Sequence, residues 1–247
     1  MLSIDGVTDL WDQLLGAQPD PPGMLVLLTA VAGFLAVAVR PVWRVARNAV
    51  TIAHEGGHAL IALLTGRRLK GIRLEFDTSG LTLSAGRPTG LGMILTLLGG
   101  YIAPSLVGVL GAWLLGGNRI TLLLWLAVVL LLLMLINIRN LFGVVSLLIT
   151  GAIVFAVSWY AEPETQAAFA YAGVWFLLFG GVRPVFELQS LRGRGRMRDS
   201  DADQLARLTH LPALFWVGVF LVVNLFALLS GAFLLAGQWL PESGLTL

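Results

Sequence analysis

The chain alternates long apolar runs with short polar breaks. Runs with few or no charged residues lie near 24 to 39, 48 to 66, 91 to 116, 120 to 137, 141 to 160, 167 to 189 and 212 to 236. A helix needs roughly 17 to 25 apolar residues to cross the hydrocarbon of a bilayer, so the pattern predicts about seven membrane helices. The first run is short, and Arg40, Arg44 and Arg47 blur its boundary with the second, which leaves six spans plus one interfacial helix as the other count. Two of the breaks are long. In the first, 67–90, Ile72, Leu74 and Phe76 alternate with Arg73 and Glu75, an Asp-Thr-Ser-Gly turn follows, and Leu81 and Leu83 resume the alternation. This predicts a β-hairpin directly after the second helix. In the second, 190–211, a basic, Gly-broken linker leads into an acidic helix start, with Ser200 or Asp201 as N-cap and Pro212 further on. Upstream, Ile4, Val7, Leu10, Trp11, Leu14 and Leu15 recur at helical spacing opposite Asp5, Asp9 and Asp12, so residues 1–23 read as an acidic interfacial segment. With no soluble domain, internal repeat or low-complexity tract, residues 1–247 read as one all-α, polytopic membrane domain with a small hairpin.

Composition agrees with that class. Hydrophobic residues make up 57% of the chain and charged residues 12%, against about a quarter charged in soluble domains. Residues 1–23 contain no Lys or Arg, so nothing there reads as a cleaved signal peptide. If the second helix runs outside to inside, Arg67, Arg68, Lys70, Arg73, Arg87, Arg139, Arg183, Arg192, Arg194, Arg196, Arg198 and Arg207 lie on the cytoplasmic side, twelve of the sixteen basic residues. Glu162, Glu164 and Glu242 then fall outside, and Trp159, Tyr160 and Trp239 fall at the aromatic belts. Arg40, Arg44 and Arg47 are the exception and would face outward. The net charge of +2 gives no reason to invoke nucleic acid, because the arginines sit in loops between spans. There is no cysteine, so any metal must be held by histidines and carboxylates.

The chemistry is concentrated in TIAHEGGHALIALLTG, residues 51–66, which places three ionisable groups in an apolar helix. His54 and His58 are four apart, so both imidazoles leave one helix face and can grip one ion. Glu55 is turned about 100° away, which suits a carboxylate beside the metal's water. With three His and six Glu in the chain, chance would give this HExxH spacing on the order of once in a thousand such chains. Charge at mid-bilayer costs at least about 2.5 kcal/mol, so an ionisable cluster there points to function. Two histidines satisfied by neighbouring helices are the plain alternative. Gly56 and Gly57 would let another helix or a substrate backbone approach, and helix packing explains them equally well. Asn137 and Asn140, near the cytoplasmic end of the fourth helix, could stabilise an oxyanion or bond between helices. Tyr101 and Pro104 fall in a Gly-rich helix where packing accounts for them, and Arg183 and Glu187, four apart, suit a simple ion pair.

HEGGH in a membrane helix, the basic hairpin after it and a carboxylate before a late helix resemble the site-2 protease family of intramembrane zinc metalloproteases. GGYIAPSLVG from Gly99 and SDADQLARLTHLPALFW from Ser200 resemble its small, PDZ-lacking bacterial branch more narrowly. The resemblance implies zinc held by His54, His58 and a distant aspartate, with Glu55 as general acid/base. Asp201 is the choice for that aspartate. The Asn-Pro and Leu-Asp-Gly signature of many members is missing here, so Asp203 and His210 stay open as ligands, Asp199 less so. It further implies a multi-pass protein of a bacterial plasma membrane that cuts membrane-spanning substrates. The rival reading is a transporter in which His54, Glu55 and His58 relay protons or a metal ion; it calls for inverted repeats, which the sequence lacks. A silent scaffold with a structural zinc would not need Glu55.

Overall fold

Helices begin and end where the polar breaks fall. The computed structural model describes residues 16–195 and 199–237; the interfacial helix expected over residues 4 to 15, and Arg196, Arg198, Trp239 and Glu242, lie outside them. Among the described residues the order is α1 (Gly23–Ala38), α2 (Arg40–Leu64), β1 (Arg68–Leu74), β2 (Gly80–Ala85), α3 (Leu91–Gly116), α4 (Ile120–Leu135), α5 (Leu141–Tyr160), α6 (Pro163–Gly193), α7 (Asp201–Thr209) and α8 (Ala213–Ala236). Four helices, α3, α5, α6 and α8, are each long and apolar enough to cross a membrane. The pair α1 and α2 qualifies only together, bent by 99° at the break, and α4 is a shorter apolar helix. The break is at Val39, whose extended backbone ends α1, and Pro41 in the first turn of α2 suits a fresh helix start. The protein is thus an all-α polytopic membrane protein with a small hairpin; among the described residues four or five spans meet the length and apolarity needed, close to the six or seven that the apolar runs predict. A run of apolar residues records burial in oil or protein and does not distinguish a span from a short or bent packed helix. Large apolar side chains such as Leu64, Val222, Phe226 and Phe233 stay exposed, as a lipid-facing surface requires.

The bend also sets the surroundings of the arginine trio. The Arg183 guanidinium donates to the Val37 carbonyl at the end of α1. The Trp43 indole donates to Glu187 at 2.8 Å, and Arg47 pairs with Glu187 at 3.4 Å. So α2 starts beside the C-terminal half of α6, at Arg183 and Glu187. The Arg183–Glu187 pair, 2.9 Å, is more than a helix-end ion pair: it anchors the break between α1 and α2.

The strands form an antiparallel hairpin with Ile72 opposite Thr82 and Leu74 opposite Gly80. Ile72 and Leu74 enter a core with Ile52, Met134, Ile138 and Leu147. Leu81, opposite Arg73, and Leu83 take the outward face and stay exposed. The turn from Glu75 to Ser79 carries Phe76 out of the alternation, against Phe142. The outer edge of β1 is covered: Ile72 N–H donates to the Asn137 carbonyl and Arg139 N–H to the Ile72 carbonyl, both at 2.9 Å. A second core joins α3, α6, α7 and α8 through Leu97, Val185, Leu188, Leu205 and Phe220. The site lies between these two cores.

Candidate metal and catalytic site

α2 supplies His54 and His58, and α7 supplies Asp201. His58 Nε2 lies 3.1 Å from His54 Nε2, and Asp201 Oδ2 lies 3.3 Å from His58 Nε2 and 3.5 Å from His54 Nε2. One ligand atom from each residue lies within 4.8 Å of the other two. Tetrahedral zinc, with bonds of about 2.0–2.1 Å, holds its ligand atoms about 3.3–3.4 Å apart, so the donor set fits that ion. The opposite nitrogen of His58, Nδ1, is 2.7 Å from the Thr96 carbonyl. A carbonyl only accepts, so Nδ1 carries a proton and Nε2 is the His58 nitrogen that faces the cluster. His54 packs edge-on to Tyr101, with centroids 4.8 Å apart, and Tyr101 stacks on Phe220.

Close helix contact makes this arrangement possible. A Cβ at Gly57 would lie 2.3 Å from the Ala103 Cβ, and one at Gly100 would lie 2.3 Å from His58 Nε2. Small residues here let α3 press against the face of α2 that carries His54 and His58. Of the two glycines inside the motif, Gly57 does this packing work, while Gly56 has only the Met134 sulfur within 4 Å. Pro104, inside α3, has no N–H to offer the Gly100 carbonyl.

Asp201 is the first residue of α7, and its setting is built by its neighbours. The Ser200 hydroxyl and Asp203 form a reciprocal capping box. Arg192, in the last turn of α6, reaches Asp203 at 2.7 Å. Burial works against the Asp203 charge, but the Ser200 hydroxyl and Arg192 outweigh it and hold the carboxyl below its usual range. Burial likewise opposes the Asp201 charge, and the imidazoles facing it hold that carboxyl low. Asp203 is therefore committed to the cap and to Arg192, outside the His54–His58–Asp201 group. His210 is an exposed, left-handed residue closing α7. Asp199 pairs with Arg207 on the surface.

Glu55 is 3% exposed and points to the hairpin, where the Thr82 hydroxyl donates to its Oε2 at 2.6 Å. Asn140 is turned away from the metal group: its amide donates to the Leu74 carbonyl at 2.6 Å and accepts from Leu74 N–H at 3.2 Å, extending the cover on β1. Asn137 donates to Leu133 within its own helix end.

Sequence reasoning missed Thr96, Thr82, Gly80 and the Arg192–Asp203 tie. A carbonyl partner such as Thr96 leaves no sequence signal. The period-2 pattern that turns Ile72 and Leu74 inward does turn their partners Thr82 and Gly80 inward too, once the register is known.

A family model described as Peptidase M50B-like matches residues 27–231. No curated protein and no solved structure matches the chain.

Proposed function

The chain belongs to the site-2 protease family of membrane metalloproteases, and on that premise we propose that it is a zinc endopeptidase cutting peptide bonds in or near the membrane-spanning segments of other proteins. The observation that carries this reading is the convergence of His54, His58 and Asp201 from two distant stretches of chain onto one point, with Glu55 next to His54 in the same helix. In the proposed roles His54, His58 and Asp201 hold the ion. Zinc, when bound, supplies Lewis-acid chemistry, lowering the pKa of a water to about 7 and polarising a carbonyl. Glu55 takes the proton as water attacks the peptide carbonyl and passes it to the leaving amine nitrogen. Thr96 fixes the His58 tautomer, and burial around the cluster limits competing water.

The substrate must be unwound locally, because a helix hides its carbonyls in hydrogen bonds. The hairpin offers a place to hold such an extended segment. With β1 covered by residues 137–140, the outer side of β2 is, among the described residues, the open edge, and strand addition there would supply main-chain hydrogen bonds beside Glu55. The biological setting proposed with this role is regulated intramembrane proteolysis by one membrane-embedded domain. Cleavage of fluorescein-labelled β-casein, an unfolded polypeptide, tests the activity. Wild type is expected to cleave it in a chelator-sensitive way and E55Q at least about 100-fold more slowly. Equal rates for the two would remove the protease assignment.

A further inference from the structure

Glu55 is held from outside its own helix. Among the described residues no cationic side chain pairs with it, and its side-chain hydrogen bond comes from Thr82 on β2, at 2.6 Å. Gly80, two residues earlier on the same face, lies so close that a Cβ there would fall 2.4 Å from Glu55 Oε1. The Thr51 hydroxyl donates to the Thr78 carbonyl at 2.8 Å, fastening the turn to α2 one helical turn before Glu55. The carboxylate therefore sits in a cradle whose floor is one strand.

The same strand carries the edge that is open among the described residues. Ile72 sends both its backbone groups to residues 137 and 139, away from β2. In an antiparallel pair, residues opposite each other turn their N–H and C=O the same way relative to the ladder, both inward or both outward. Thr82, opposite Ile72, thus turns its backbone groups to the open side of β2. Leu74 gives its N–H and C=O to Asn140, so Gly80, opposite it, does likewise. Gly80 and Thr82 accordingly face the open edge with their backbone and Glu55 with their Cβ side, while Leu81 and Leu83 point away and stay exposed.

We propose that Thr82 is the positioning residue for Glu55, and that with Gly80 it ties the general base to the strand edge on which an extended substrate pairs. This rests on the protease reading above. The β-branched threonine has few χ1 states in a strand, so its hydroxyl is aimed by the backbone. A substrate strand paired on β2 is thereby held by the same strand that places the carboxylate.

The test compares T82V, T82S and G80A with wild type on fluorescein-labelled β-casein, with zinc per chain and thermal unfolding measured on each. Valine keeps the shape and removes the donor. T82V is expected to keep its zinc and its fold, to lose about 10- to 100-fold in kcat with little change in KM, and T82S to recover to within about threefold of wild type. G80A, whose methyl enters the carboxylate's place, is expected to lose kcat in the same way with zinc retained. A kcat for T82V equal to or above wild type, or a T82S as slow as T82V, would overturn the proposal. Hydrogen exchange on substrate-free protein separates this failure from failure of the protease reading. E55A is expected to speed exchange of the Leu81 and Leu83 amides, which face β1, and unchanged exchange would show that no tie exists, whatever the enzyme does.

Discussion

At the scale of single residues, the site depends on what is missing as much as on what is present. Gly100 faces both imidazoles, and a methyl group there would have to displace His58 or push α3 away from α2. Overpacking of this kind costs about 1–3 kcal/mol, and here the strain falls on the two imidazoles. G100A is expected to lower zinc content well below that of wild type, whereas G151A, with nothing within 4 Å of its new Cβ, keeps wild-type zinc; elemental analysis of both purified variants checks this. Of these residues the sequence disclosed the ones with a fixed local spacing: His54, Glu55 and His58 are a pattern within one helix turn. Asp201 could be proposed only through a resemblance, because 142 residues of chain separate it from His58 and no periodicity links them. Asp203 and His210 were equally eligible as titratable groups. They drop out because one is taken by a cap and an arginine and the other closes a helix in the left-handed conformation.

At the scale of elements, the short helix α7 matters most. Its first residue is Asp201, and the Ser200–Asp203 box with Arg192 fixes where that residue points. Removing such a cap costs about 1 kcal/mol. D203A is therefore expected to lower the unfolding temperature slightly and to weaken zinc binding without touching a ligand, measured by competition with a zinc chelator. The Asp203 carboxyl is held below its usual value, so its contribution is present above the unfolded value of about 4 and is lost as pH falls through the lower folded one. Wild type is expected to lose stability over that acid window more steeply than D203N, and parallel pH–stability curves would contradict the assignment. The hairpin was legible from its alternation and turn residues, yet only half of the alternation reports burial. Leu81 and Leu83 are as apolar as Ile72 and Leu74 but lie on the outward face, and only the register of the pair reveals it. The separate existence of α7 was foreshadowed by its N-cap and by Pro212, while its role in presenting Asp201 belongs to tertiary structure.

At the scale of the whole molecule, the 99° bend between α1 and α2 sets which charges share a side. The absence of cysteine makes this measurable with single introduced cysteines and a membrane-impermeant maleimide. R44C and T78C are expected to label from the same side of the membrane and N118C from the other; labelling of R44C together with N118C would put the trio on the outward side. Membrane class and the rough helix boundaries were readable because apolar length and charge are properties of the chain alone. The bend between α1 and α2 was not, because it is decided by contacts such as Arg183 with Val37 and Trp43 with Glu187. The central claim is that two distant pieces of this membrane chain build one zinc site. It is tested most directly by zinc per chain in detergent-purified protein, wild type against H58A, D201A and E55Q. The account predicts about one zinc in wild type and in E55Q, and loss of it in H58A and D201A. Zinc retained in folded D201A, or none in folded wild type after the metal is added back, would contradict it.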